Sequence, residues 1–191
     1  MTSQPEPKLT RAIVLETPRC RLRKLSRADI SFVFSASCYE GFCDGMMWNP
    51  PASEEDLLEP CEAGEVAWES GKAYTFTIEK MATAEPLGRI VIRRESDSLW
   101  DVGFWMHPVH QRQGYLTEAL QAVVRFGFGE LSAGAIQGEH ATWNIASRRV
   151  FEKAGFSYVR HIPDGFKKGG SITSSEIHEI TAEQWRSLNG T

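Results

Sequence analysis

The amino-acid sequence predicts an α/β (α+β) fold, a mixed, mostly antiparallel sheet of about six to seven strands with helices on both sides. Three observations carry this expectation. Short stretches rich in β-branched and aromatic residues alternate with longer ones whose apolar residues recur at spacings of three and four. Three strand-like segments, 73–79, 87–94 and 99–106, follow one another as a meander, parted by turn-forming stretches such as Ala84-Glu85-Pro86 and Glu95-Ser96-Asp97-Ser98. The third of them runs through Trp105 and Met106 into a polar loop and then a helix start.

Taken in order, a polar tail over 1–8 precedes a strand near 13–25 and a helix near 27–37. Residues 40–53, with Gly41, Gly45, Pro50 and Pro51, read as a loop before a second helix near 54–70. That loop carries Phe42, Met46, Met47 and Trp48, which are either core or the lining of a substrate pocket. After the meander, Leu116, Ala119, Leu120, Val123, Gly127 and Leu131 mark one face of an amphipathic helix, with Thr117, Glu118, Gln121 and Arg125 on the other. Glu118 suits the first turn, and Gly127 and Gly129 weaken the last. A strand near 135–142 follows, then a short helix with Asn144 as N-cap, Gly155 just past its end and a buried stripe of Ala146, Val150 and Ala154, with Ser147 and Phe151 beside it. Strands near 156–162 and 174–180 and a capped turn over 181–185 complete the order.

At 191 residues, 41% hydrophobic and 24% charged, the chain is long enough for one sizeable core, and no linker or repeat divides it, so a single domain over 1–191 is expected. A net charge of −4 argues against a generic nucleic-acid or anionic-membrane binder, although Arg89, Arg93 and Arg94 could form a local basic patch. No apolar run approaches the roughly 20 residues of a membrane span, and the start does not read as a signal peptide, which implies a cytoplasmic protein. Cys20, Cys38, Cys43 and Cys61 form no Cys-x-x-Cys pair and read as buried reduced thiols. His107 and His110 flank Pro108 without acidic neighbours, which favours a surface loop over a metal site.

The junction after Met106 carries the chemistry. Where a helix begins, several N–H groups have no intrahelical partner, and the dipole adds roughly half a positive charge. A pyrophosphate is the natural occupant, and Gly114 lets phosphate oxygens approach the backbone.

The loop Gln111-Arg112-Gln113-Gly114-Tyr115-Leu116 resembles the Gln/Arg-x-x-Gly-x-Gly/Ala signature of the GNAT superfamily of acetyl-CoA-dependent N-acetyltransferases, with Leu116 in place of the small last residue. Downstream, Asn144-Ile145-Ala146-Ser147 through Lys153-Ala154-Gly155-Phe156 resembles the second GNAT signature, an Asn-x-x-Ser/Ala helix closing in Lys-x-Gly-Phe. Leu15 to Leu25 with Ala28-Asp29, and Gly103-Phe104-Trp105, are similar to the branch containing the ribosomal-protein N-terminal (alanine/serine) acetyltransferases.

The resemblance implies acetyl-CoA as cosubstrate and a splay between the fourth and fifth strands, which end near Met106 and start near Ala135, as the place that holds it; the histidine and cysteine spacings add no metal to this expectation. Cofactor contacts are then expected from Met106, from Gln111, Arg112, Gln113, Gly114, Tyr115, Leu116 and Thr117, and from Asn144, Ser147 and Phe151. The implied reaction is direct attack of a neutral primary amine on the thioester, which requires loss of a proton, stabilisation of an oxyanion and protonation of the thiolate.

The Met106 N–H is the expected oxyanion donor. Many members carry a tyrosine acid seven residues after the Asn, where this chain has Phe151, which leaves Ser147 as donor or as a group that satisfies local backbone. Asp101, Glu139 and His140 are base candidates, each also explicable as an ordinary strand residue. Trp48, Trp105 and His140 are expected nearest the acceptor, and Asp164 lies in a segment, 164–170, that is either an acceptor site or a hairpin turn. The acceptor is a protein N-terminal amine or a small-molecule amine. Leu116 and Phe151 also keep open an acyl-CoA-binding module with reduced turnover, and a homodimer is compatible with the sequence.

Overall fold

The computed structural model describes residues 13–190, so the predicted tail over 1–8 lies outside the described residues. The chain builds β1 (Leu15–Glu16), β2 (Cys20–Lys24), α1 (Ile30–Ser37), α2 (Leu58–Glu69), β3 (Ala73–Lys80), β4 (Pro86–Arg94), β5 (Leu99–Met106), α3 (Tyr115–Gly129), β6 (Ala135–Ala141), α4 (Ile145–Lys153), β7 (Ser157–Lys168), β8 (Ser171–Thr181) and α5 (Ala182–Asn189). The strands form one eight-stranded sheet in the order β1-β2-β3-β4-β5-β6-β8-β7. Among the described residues only β5 and β6 pair in parallel.

Alternation along the strands sorts side chains onto two faces. On one, Phe76, Ile90, Ile92 and Ile136 meet Leu120, Val123 and Phe126 of α3 in the main core. On the other, Val33 and Ala36 of α1 cover Trp105, with Phe32, Phe42, Met46 and Leu57 around them. α3 continues through its glycines because Gly127 sits directly against Ile136 and Ile92, where a Cβ would come within 2.6 Å of Ile136. Tertiary packing there overrides propensity.

The structure revises several expectations. The strand expected over 13–25 is two strands, since Thr17-Pro18-Arg19 turns the chain so that Leu15 pairs with Leu22; Pro18 has no N–H for a ladder. The sheet therefore has eight strands, and the expected fourth and fifth are β5 and β6. The last two strands extend to Lys168 and from Ser171, so Asp164 lies within β7, at a break in register between Ile162 and Phe166, and the turn falls at Gly169 and Gly170. The stripe of α4 is rotated: Ala146 is exposed, and Phe151, 1% exposed, leads the buried side with Ala154. Cys38, at the end of α1, is exposed, while Cys20, Cys43 and Cys61 are buried and free. His107 is buried rather than on a surface loop, its ring 5.4 Å from Phe32 and its Nε2 3.3 Å from the Ser35 hydroxyl. Among the described residues no helix is long and apolar enough to cross a membrane.

Phe151 depends on one position in β6. A Cβ on Gly138 would stand 2.2 Å from the Phe151 ring and 3.2 Å from the Val102 carbonyl. Gly138→Ala should therefore cost about 1–3 kcal/mol in urea unfolding through overpacking. Phe151→Leu in the same chain should recover part of that loss. An unchanged midpoint for Gly138→Ala would show that α4 is loosely held.

Candidate active site

β5 and β6 pair only at Leu99 with Ala135, Trp100 with Ile136 and Asp101 with Gln137. Beyond these the strands diverge. On its other edge β5 stays paired with β4, and the His107 N–H donates to the Leu87 carbonyl at 2.9 Å. Bonded pairs alternate along an antiparallel ladder, so Trp105 and His107 point their backbone groups at β4, while Phe104 and Met106 point theirs into the gap. The Gln111 side chain, from the loop, donates to the Met106 carbonyl at 3.3 Å. The Met106 N–H is left aimed into the opening, where it can donate to an oxygen.

The loop after β5 ends beside the same gap. Gly114 is the N-cap of α3 with φ +82°, a conformation that L side chains rarely adopt, and no side chain caps the helix. Arg112 also has a positive φ, 63°. The first-turn amides of Tyr115, Leu116 and Thr117 thus have no intrahelical acceptor. Leu116 and Tyr115 lean their side chains onto the core, which keeps the amide side of the turn open.

Arg19, which sequence reasoning did not single out, locks this loop from across the sheet. Its Nε donates to Glu118 at 2.8 Å, its Nη1 to the Gln113 carbonyl at 3.0 Å, and its guanidinium lies 4.7 Å over the Tyr115 ring. Thr17 and the Arg19 N–H add bonds of 2.5 and 2.8 Å to Glu118. Burial works against the Glu118 charge, yet the bonds from Thr17 and Arg19 outweigh it and hold its pKa below the usual range. The acidic group in the first turn is neutralised by a bound cation, so it does not repel an anion at the helix start.

On the α1 face, Asp101, Gly103 and Trp105 follow one another along β5. Asp101 pairs with Arg93 at 2.8 Å. Burial pushes its pKa up to about 6, against the attraction of Arg93 and with help from the like charges of Glu95 and Glu139. Glu139 stands across the gap on β6 and accepts a short hydrogen bond from Ser175. Trp105 is 7% exposed and its indole N–H has no partner among the described residues; its ring lies 5.4 Å from Phe42, which in turn lies 6.4 Å from Trp48. Lys168 ties this aromatic loop to the β7–β8 hairpin by donating to the Trp48 carbonyl at 3.0 Å and to the Cys43 carbonyl. The basic patch expected from sequence is partly consumed, Arg93 by Asp101 and Arg94 by Asp97 at 3.4 Å.

On the α4 side, Asn144 caps its helix by accepting from the Ser147 N–H at 3.1 Å. The Ser147 hydroxyl makes no hydrogen bond among the described residues; it does not serve local backbone and remains able to donate. It lies one turn from Phe151 on the same side of α4. Phe151 itself is enclosed by Phe104, Phe156, His140 and His178. His140 is buried on this face and not beside Glu139. The structure thus brings Met106 and the 111–117 loop to the gap, sets Asp101, Glu139 and Trp105 on the α1 face of the two diverging strands, and buries Phe151 and His140 together on the other face.

A sheet that opens after a short parallel pairing thus presents a free backbone amide and an uncapped helix start to one cleft. Residues 19–157 match the acetyltransferase (GNAT) domain, and the chain belongs to that family. Its relatives include the uncharacterised N-acetyltransferase YoaA of Bacillus subtilis (strain 168), 25% identical over 169 residues that span 87% of this chain and 96% of the relative. An acetyltransferase of the GNAT family from Bacillus anthracis superposes with a TM-score of 0.80 at 21% identity, covering 90% of this chain and 99% of the other. The ribosomal L7/L12 α-N-protein acetyltransferase RimL, solved in complex with coenzyme A, superposes with a TM-score of 0.82 at 14% identity, over 90% of this chain and 99% of that one. The protein is an N-acetyltransferase enzyme of this fold.

The Asp101 carboxyl has a measurable signature. Its pKa in the fold, about 6, lies above the ordinary 3.8, so its contribution to stability is full below the lower value and is lost as pH rises through the higher. Asp101→Asn cannot ionise. Relative to wild type, the variant should gain on the order of 2–3 kcal/mol between pH 4 and pH 7 in denaturant unfolding. Parallel stability curves for the two proteins would mean that Asp101 titrates normally.

Proposed function

We propose that this enzyme moves the acetyl group of acetyl-CoA to a primary amine by direct attack, with a protein N-terminal α-amine as acceptor. The observation that carries the cofactor reading is the uncapped start of α3, with Gly114 at φ +82° beside a gap into which the Met106 amide points. First-turn amides at Tyr115 to Thr117, together with Gln113 and the Arg112 side chain, receive the pyrophosphate; acetyl-CoA supplies the activated acyl group. Asn144 sets the pose of α4, and Ser147 faces the thiol end.

In the reaction, Asp101 takes the proton that the acceptor ammonium loses, its pKa of about 6 leaving it ionised at neutral pH, and Glu139 adds negative charge that draws the cationic amine. The amine nitrogen bonds to the carbonyl carbon as the bond from carbon to sulfur breaks. The Met106 N–H donates to the carbonyl oxygen as it gains charge. The nitrogen sheds its second proton as the amide forms, and that proton ends on the departing sulfur by way of the Ser147 hydroxyl, which is unengaged in the protein. Trp105 and Trp48 flank the acceptor.

The acceptor assignment is supported by the acidic lining of Asp101 and Glu139 and by the likeness to RimL, which acts on a protein α-amine. The acceptor is the finer part of the proposal, and assays with a peptide panel against free polyamines and amino acids decide it: turnover of the small amines alone would remove the protein N-terminus. We place the enzyme in the cytoplasm, where acetyl-CoA and such acceptors meet.

A bulky side chain at Gly114 both strains the backbone and closes the approach to the helix start. Gly114→Val should weaken acetyl-CoA binding at least about tenfold in calorimetry, equivalent to ~1.4 kcal/mol. A folded variant with unchanged affinity would defeat the cofactor reading.

Ser147→Ala separates donation from positioning. If the hydroxyl acts only as charge develops on sulfur, the catalytic constant should fall roughly 10- to 1000-fold with acetyl-CoA affinity nearly intact. Weakened affinity at an unchanged saturating rate would assign Ser147 to cofactor positioning instead, and no effect on either would leave the proton to water.

A further inference from the structure

Behind Phe151, on the face of the sheet that α4 covers, three side chains converge from two strands. His140 of β6 stands directly opposite Glu176 of β8, and His178 lies two residues along β8, opposite Gly138. The period of two places all three on one face. Their ligating atoms lie within 4.8 Å of one another. His140 Nε2, Glu176 Oε2 and His178 Nδ1 are each buried with no hydrogen-bond partner among the described residues, and His140 Nε2 is 3.8 Å from Glu176 Oε2, too far for a hydrogen bond.

The tautomer of His140 sharpens the problem. Its Nδ1 lies 2.9 Å from the Ala141 carbonyl, to which it can only donate. In the neutral ring Nε2 is then a bare lone pair, aimed at a carboxylate oxygen and at a second imidazole nitrogen. Buried acceptors facing one another without a cation between them are costly. A histidine whose other nitrogen is fixed on a backbone carbonyl is the arrangement that orients metal ligands, and an apolar shell around them strengthens it. Here the shell is Phe151, its ring 5.8 Å from His178 at 8° and 6.0 Å from His140 at 23°.

We propose that His140, Glu176 and His178 form a three-ligand site for one divalent transition-metal ion, zinc by the character of the donors, which ties β6 to β8 beneath α4. Zinc bonds of about 2.0–2.2 Å set the three donors roughly 3.2–3.6 Å apart, a contraction reached by small side-chain rotations. Glu176, with 18% of its side chain exposed, opens the site on one side for entry of the ion and for water as fourth ligand. Arg148 and Glu152, themselves an ion pair at 2.9 Å on α4, both act on His178 and leave the surroundings near neutrality. The role is structural, since the ion sits behind Phe151 and away from the gap. The inference does not depend on the acyl-transfer reading. It also departs from the expectation of no metal, which rested on His107 and His110.

The test uses the full chain freed of metal with a chelator and dialysed. Zinc added in competition with a chromophoric chelator should bind at one equivalent, micromolar or tighter, and raise Tm by about 5 °C or more at a hundredfold excess over Kd. Cobalt(II) should give visible absorption of a four-coordinate nitrogen and oxygen site. Glu176→Gln and His178→Asn should each weaken zinc at least tenfold, and His110→Ala should leave it unchanged. Absence of a one-to-one complex would overturn the proposal, as would folded Glu176 and His178 variants that bind like wild type. Should those variants not fold, the cobalt spectrum and zinc-dependent Tm of the wild type decide alone.

Discussion

The structure turns on a parallel pair of strands that stops pairing. β5 and β6 share a ladder only as far as Asp101 and Gln137, and each strand is held beyond that point by its outer neighbour, β4 on one side and β8 on the other. Backbone amides that would be satisfied in a continuous sheet are instead left facing the gap. An opening of this kind would collapse if its walls were free to move. Gln111 on the Met106 carbonyl, α3 seated on Ile92 and Ile136, and Phe151 filling the space under Gly138 keep the walls apart.

The helix start beside the opening is prepared in a second way. An acidic residue in the first turn favours the helix but disfavours an incoming anion, and Glu118 is there. Thr17 and Arg19, far upstream in sequence, resolve the conflict by binding its carboxylate, and Arg19 also holds the loop through Gln113 and Tyr115. The first hairpin of the chain thereby serves the loop of its middle helix.

What was legible in the sequence was local. The strand-loop-helix junction at Gly114 and the cap and stop of α4 at Asn144 and Gly155 are written in neighbouring residues, so spacing and turn chemistry found them. The break of the first strand at Thr17-Pro18 was also local, yet the apolar alternation on either side masked it. The bonds of Arg19 to Glu118 join positions 99 residues apart, and His140 meets Glu176 across two strands; neither has a pattern along the chain. The face of α4 is not legible at Ala146, because spacing along a short helix does not say which side a phenylalanine will claim, and here Phe151 claims the buried one. Asp101 is visible as a candidate, but its raised pKa depends on burial and on the like charges of Glu95 and Glu139, which together outweigh the pull of Arg93 from the neighbouring strand.

Lys168 spans the largest distance in sequence of any of these ties, joining the tip of the β7–β8 hairpin to the carbonyls of Cys43 and Trp48. One ammonium thus sets where the aromatic loop stands beside Trp105, and it rides on a strand whose residues alternate between faces. Adding or removing one residue in that hairpin would turn the ammonium away and release the loop; a change of two would carry it along the strand with its orientation kept. The length of a distant hairpin, and not only the packing around Trp105, therefore sets where the aromatic loop stands, a coarse adjustment separate from the chemistry of the gap.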